Sequence, residues 1–387
     1  MALTDHKIIL YKGDSQYGVM HRFIDDIAEA YRELGHKVDI VSLGDSNPQS
    51  DQEVIKALSG EKPLFALGIN GVGEFAIDGK SIYDIGAFPH VSWLMDHPVW
   101  HMERLERGAE KFKVVGVVDD DHLAFFQAAF PSPPSTVFLP HGGCLARSPT
   151  PAERDLDIVF SGSGVDPKTQ RESWASKSEE ERQLLEAAAE IGLSSYGLPL
   201  LDVVTKCFET LGLKPSRELF LSSMVEVDRY LRAERRLADL RALDDAGVAV
   251  DLFGNGWEFA GFTTHRLHGP VDFDESLNLL QRSKLALNVS DFFASGSHDR
   301  VFSSMLNGAV PLTTGSNYFD SLPGFDEVAL SYRSSSELVE KAKAGLADEA
   351  DLLRRAAAGK VFTEAEHTIG KRAIALRDAI AEAVGIS

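Results

Sequence analysis

The stretch His298–Asp320, HDRVFSSMLNGAVPLTTGSNYFD, holds the residues best suited to binding an anion. A basic, polar turn opens a short amphipathic helix, which leads into an apolar strand predicted at Ala309–Leu312. Ser297 is the expected N-cap. Val301 and Met305, like Phe302 and Leu306, recur at i, i+4 on one apolar face, and Gly308 ends the pattern. Arg300 and His298 fall in the first turn, where the helix dipole disfavours a cation by about a few tenths of a kcal/mol unless an anion binds too. A phosphate would remove that conflict, because open backbone N–H groups and an arginine fork suit the same oxygens. The alternative is that Arg300 pairs with Asp299 or Asp291 on a solvated surface.

Other loops of the second half are polar and small: Gly162-Ser163-Gly164-Val165-Asp166, Gly254-Asn255-Gly256-Trp257-Glu258, the run from Ser290 to Arg300, and Thr314-Gly315-Ser316-Asn317. Glycines there let a ligand approach backbone amides, and Trp257 or Phe253 could stack on a base. The pattern predicts a nucleotide pocket. In the first half, the run SWLM delivers Asp96 and His97, then Trp100 and His101, to a loop. A carboxylate beside a histidine suits proton transfer or the orientation of a hydroxyl; equally, Asp96 caps the next helix and His97 lies on the surface. His141 in LPHGG poses the same choice. Asp119-Asp120-Asp121 could ligate a divalent cation but reads better as an acidic helix cap, so no metal is expected. GxGxxG after a first strand, GxxxxGK[ST], HExxH and GxSxG are all absent, which weighs against dinucleotide oxidoreductases, P-loop ATPases, zincins and α/β-hydrolases.

The elements that position these loops alternate. Strands are predicted at Lys7–Tyr11, Lys37–Ser42, Leu64–Ile69, His90–Met95 and Lys113–Val118, with a helix through Phe23, Ile27, Tyr31 and Leu34 closed by Gly35. The alternation predicts parallel sheets with helices on both faces. Proline and glycine crowd Pro131–Arg154, which reads as the domain junction. Asp155–Ser161, Val248–Phe253 and Lys284–Val289 are the strands expected beyond it, with a helix at Glu275–Arg282, a helical insert from about 176 to 245 and a terminal helix around Glu364–Val384. At 387 residues and 44% apolar content the chain can bury two cores. A formal charge of −20, without a long basic run, makes nucleic acid and anionic membranes poor partners. Two cysteines exclude a disulfide framework, and no signal peptide or bilayer-length apolar run is visible, so a cytoplasmic location is expected.

The runs LDIVFSGS, LFGNGW, HGPVDFDESLNLLQRSKLALNVS and HDRVFSSMLNGAVPLTT, in that order over about Asp155–Tyr332, resemble the GT-B glycosyltransferases, in particular the CgeB-like branch of group 1. SWLMDHPVWH and FLPHG in the first half match more loosely. The resemblance implies two Rossmann-like domains facing across a cleft: residues 1–145 on the acceptor side, residues 155–362 binding a nucleotide-diphosphate sugar, and a terminal helix, 363–387, packing back on the first domain. It aligns Arg300 with the family's RxFE motif, as the group neutralising the donor diphosphate. His298, Asn288 and Gly254-Asn255-Gly256 fall where the donor pocket is expected, with Gly162, Trp257 and Ser316 joining from the neighbouring loops. Ser303 stands where the motif has glutamate, which implies a different sugar, a compensating residue such as Asp291, or weakened catalysis.

The leading expectation is therefore a metal-independent transferase, without a cofactor, that moves a sugar from a nucleotide donor to an unknown hydroxyl acceptor. Asp96, His97 and Arg300 are its catalytic candidates. A non-catalytic nucleotide-sugar scaffold and a sugar-nucleotide epimerase are the rivals. The base, the sugar, the acceptor and the oligomeric state are not read from the sequence.

Overall fold

The computed structural model describes residues 6–44, 49–108, 111–151, 153–290 and 293–383. The chain divides into two compact units, Met1–Cys144 with Glu366–Ser387, and Leu145–Ala365.

In the first unit the strands are β1 (Lys7–Lys12), β2 (Lys37–Ser42), β3 (Phe65–Ile69), a small hairpin of β4 (Ala76–Ile77) and β5 (Lys80–Ser81), then β6 (His90–Trp93), β7 (Lys113–Val117) and β8 (Ser135–Phe138). All but the hairpin form one parallel sheet in the order β2-β1-β3-β6-β7-β8. Central strands such as β3 are buried along their whole length, as a sheet covered on both faces requires. The helix Val19–Glu33 buries Phe23, Ile24, Ile27 and Tyr31, one stripe at helical spacing. The terminal helix Ile369–Ala383 belongs to this unit and packs on Val19–Glu33, where the Tyr31 hydroxyl donates to the Ala373 carbonyl at 2.8 Å.

The stretch Pro131–Arg154 holds the boundary between the two units, after Cys144, and also β8, whose Thr136 and Val137 pair with Val115 and Gly116 of β7. Four residues beside a Pro-rich turn carry too little periodicity to announce a strand.

The second unit holds β9 (Leu156–Ser161), β10 (Asp251–Phe253), β11 (Arg266–His268), β12 (Ser283–Asn288), β13 (Val310–Thr314) and β14 (Leu330–Tyr332). The sheet is parallel throughout, in the order β11-β10-β9-β12-β13-β14. Three helices, Glu179–Leu193, Leu200–Leu211 and the long Arg217–Asp245, fill the expected insert. Strand β10 starts later than Val248. The Val248 amide is bonded back to the Leu243 carbonyl at 2.9 Å and the Gly247 amide to Asp244, with Gly247 left-handed at φ 72°, so these residues still close the long helix. The core gathers Ile158, Phe160, Leu252, Trp257, Leu285, Leu287 and Leu312 against Leu240 and Leu243 of that helix. Among the described residues, no helix is long and apolar enough to cross a membrane.

Both sheets reverse their winding at an interior strand: β1 beside β3 in the first, β9 beside β12 in the second. In such sheets the loops at the carboxyl ends on either side of the reversal diverge and leave a crevice, which is where ligands settle.

Candidate functional site

In the second unit the loops after β9 and β10 are occupied with each other. The Gly162 amide donates to the Phe253 carbonyl at 2.9 Å and the Gly164 amide to the Asn255 carbonyl at 2.8 Å. A Cβ on Gly254 would lie 2.3 Å from the Gly162 carbonyl oxygen, and one on Gly256, at φ 81°, 2.5 Å from that of Gly164. The glycines at 164, 254 and 256 therefore serve a close approach of backbone to backbone. Trp257 departs from the expected stacking role. It is 2% exposed, its Nε1–H donates to the Gly162 carbonyl at 2.8 Å, and its ring packs edge-on against Phe160, so its faces are spent inside the fold. Phe253 lies stacked on His268 at 4.4 Å. Asn255 remains exposed at the tip of its turn.

The other side of the reversal, after β12, is open. A small pocket of about 20 Å³ is lined by Val289, Ser290, Phe293 and His298 from the β12 loop and by Arg232, Arg235 and Arg236 from the long helix. Positions i, i+3 and i+4 share one helix face, which is how a single helix brings three guanidinium groups to one wall. Arg232 and Arg235 have local support. Arg232 Nε donates to Asp228 at 2.9 Å. Arg235, 8% exposed, donates to the Ser195 carbonyl at 2.6 Å and to that of Gly192, and its guanidinium lies 4.0 Å from the Tyr196 ring centroid. Arg232 is ion-paired with the buried Asp228, and guanidinium groups gathered on one wall suit a bound anion.

Several residues expected on the pocket wall instead build the loop that forms it. Asn288, 2% exposed, donates to the Thr313 hydroxyl at 3.0 Å and accepts from Ser290 at 3.0 Å, tying the ends of β12 and β13 together. Ser316 donates to the Gly296 carbonyl at 2.9 Å and caps its own short helix by accepting from the Phe319 amide. His298, not the fully buried Ser297, occupies the N-cap position of the helix Asp299–Leu306. His298 Nδ1 lies 2.7 Å from Asp299 Oδ1 and 3.4 Å from the Arg300 amide. One nitrogen cannot donate to the first and accept from the second, and the shorter contact favours Nδ1–H on the carboxylate. Arg300 is half-buried in the first helical turn, next to His298 but not among the pocket-lining residues. Ser303 is 1% exposed, and Asp291 lies outside the described residues.

In the first unit His97 is buried, not on the surface. It is 4% exposed, its Nδ1 accepts from the Val99 amide at 3.1 Å as the cap of the turn Pro98–His101, and its ring meets His122 edge-on at 4.6 Å. Capping falls to His97, not to Asp96. Asp96 acts on His101 by its charge, but burial dominates and pushes the His101 imidazole down to about 4. His141 contacts the Met95 carbonyl through Nε2 at 3.1 Å and is buried. Asp119 accepts from the Asp121 amide at 2.8 Å, a helix-start role.

The arginine wall was not among the expected site residues. Its signal lies in RYLRAERR, where arginines at 232, 235 and 236 share one helix face.

Residues 232–378 match a family model described as glycosyl transferase-like. No curated protein matches the sequence. Among solved structures, sucrose-phosphate synthase from Thermosynechococcus elongatus is similar over 99% of this chain and 100% of its own, with a TM-score of 0.54 and 11% identity. An alpha-glucosyltransferase in complex with UDP and a 13-mer DNA containing a central A:G mismatch is similar over 97% of this chain and 99% of its own, with a TM-score of 0.54 and 10% identity. At such identities the likeness is one of fold, and the fold is GT-B.

Proposed function

We propose, from the GT-B fold and the arginine wall, that this protein is a glycosyltransferase of the CgeB-like branch that moves a sugar from a nucleotide-diphosphate donor to a hydroxyl acceptor. The observation that carries the reading is the pocket in which Arg232, Arg235, Arg236 and His298 converge at the carboxyl end of β12. A diphosphate is the ligand whose charge answers that wall, and the pocket is small, so the base and sugar would extend past it. Sugar transfer breaks the bond between the anomeric carbon and the diphosphate. The leaving oxygens gain negative charge as that happens, and prearranged guanidinium donors stabilise it without reorganising. Arginines would fill the charge-neutralising role, which makes the proposed reaction metal-independent. Arg300, in the adjoining helical turn, would contribute the same way. On the acceptor side Asp96 is the favoured candidate, because His97 is buried and caps a turn. A net charge of −20 favours an acceptor other than nucleic acid.

The test is turnover of UDP-, GDP- and dTDP-sugars by purified protein, with Arg236→Ala and Arg300→Ala beside it. The expected result is donor cleavage that needs or accelerates with an acceptor and falls at least about tenfold in each variant. Binding of a nucleotide sugar without cleavage or transfer would favour the scaffold reading instead, and conversion of the donor sugar with no acceptor present would favour an epimerase.

A further inference from the structure

The first unit has its own crevice at the reversal beside β1, a pocket of about 120 Å³ lined by residues of this unit alone. Its floor is apolar, with Ile24 and Ile69, and its rim is polar, with Lys12, Asp14 and Arg104. The loop after β3 that forms one wall is held in an unusual backbone. Asn70, which has a side chain, sits at φ 56°, with Gly71 at 74° and Gly73 at 94° behind it. The Asn70 amide oxygen accepts from the Met95 amide at 2.7 Å, and its carbonyl accepts from Arg104 Nη1 at 2.9 Å. Asparagine takes the left-handed conformation more readily than other residues with side chains, and these two bonds hold the wall in one shape.

The charges indicate what fits. Lys12 is paired with Asp25 at 2.6 Å, so its charge is largely answered. Arg104 is exposed, and the partner seen for it is the Asn70 carbonyl, which leaves its charge unanswered. Asp14 is an exposed carboxylate on the opposite loop, and carboxylates accept hydrogen bonds from hydroxyls. An apolar floor, one uncompensated guanidinium and one acceptor-only carboxylate together describe a compact ligand with a C–H face, several hydroxyls and a single anionic group. We propose that this pocket binds a phosphorylated or carboxylated sugar, with the anion at Arg104 and hydroxyls at Asp14. Its role as the hydroxyl-bearing acceptor rests on the sugar-transfer reading above, but its binding does not.

Hydrogen–deuterium exchange on the full chain tests this, with glucose 6-phosphate, fructose 6-phosphate, mannose 6-phosphate and glucuronate as probes, and glucose and inorganic phosphate as separate arms. At least one of the charged sugars is expected to protect residues 11–14 and 69–72, with glucose and phosphate giving little. Arg104→Gln is expected to weaken that binding about tenfold, Arg104→Lys to recover part of it, and Asp14→Asn to weaken it while leaving the preference for the charged sugar. The phosphate and carboxylate arms decide which anion is taken. UDP in a parallel arm reports on residues 289–300 independently, so loss of one protection pattern leaves the other interpretable. Absence of protection by every charged sugar, protection by inorganic phosphate alone, or binding indifferent to Arg104→Gln would overturn the assignment.

Discussion

Trp257→Phe separates a tryptophan that reads a base from one that holds a loop. The indole is 2% exposed and donates at 2.8 Å to the Gly162 carbonyl. Phenylalanine keeps an aromatic ring but has no donor, so that carbonyl loses its partner at a cost of about 1–3 kcal/mol. The smaller ring also gives up about 1 kcal/mol of buried apolar area and packing. The sum is about 2–4 kcal/mol, roughly 5–15 °C in melting temperature for a unit of this size. Thermal or urea unfolding followed by circular dichroism measures the loss, and calorimetry with UDP, GDP and dTDP measures affinity under stabilising conditions. The expected outcome is a large drop in stability with nucleotide affinity changed less than about threefold. Unaltered stability with affinity reduced tenfold or more would refute the reasoning and return Trp257 to the nucleotide.

The same loop junction makes Gly256→Ala costly: the added methyl would stand 2.5 Å from the Gly164 carbonyl at φ 81°, and a loss of about 2–4 kcal/mol is expected in urea unfolding. Ser303→Glu would bury a carboxylate at a position 1% exposed, so the variant is expected to unfold at lower temperature without gaining transfer activity, while Ser303→Ala stays within about 1 kcal/mol of the parent. Acid lability is expected from His367, whose Nδ1 accepts from Arg372 at 2.7 Å and whose imidazole is pushed down to about 4 by burial and then by the arginine charge. Since the folded form resists a proton that the unfolded chain takes up near 6.5, this group's stabilisation is complete above that pH and is lost as pH falls from about 6.5 towards 4, on the order of 3 kcal/mol at the limit. A denaturation series over that range should be flatter in His367→Asn than in the parent.

Much of the architecture was legible because it rests on patterns that sequence displays. Strands such as Lys37–Ser42 and Leu156–Ser161 are apolar runs bounded by turn residues, and the strand-helix alternation fixes a parallel sheet. Several strands of three or four residues escaped. Ser135–Phe138 hides among prolines, while Arg266–His268 and Leu330–Tyr332 are recognisable as strands only through the neighbours they pair with. The site was legible at the level of loops and less so at the level of atoms. The loop after β12 does line a pocket, but sequence cannot tell a glycine that admits a ligand from one that admits another backbone, as at Gly254 and Gly256. Nor can it tell a tryptophan that is offered from one that is buried. The arginines of the long helix went unassigned because a basic cluster within a charged helix looks like solvated surface until the helix is laid against the β12 loop.

The central claim is that Arg232, Arg235 and Arg236 form the seat of a diphosphate, and one titration tests it most directly. Calorimetric binding of the nucleoside, the nucleoside monophosphate and the nucleoside diphosphate of the preferred base is compared in the parent protein and in Arg232→Ala and Arg236→Ala. Each lost charge-assisted contact corresponds to about 1.5–3 kcal/mol. The account predicts that the diphosphate binds much more tightly than the monophosphate, that each variant loses roughly 10- to 150-fold for the diphosphate, and that the nucleoside is unaffected. Equal affinity of parent and variants for the diphosphate would contradict it.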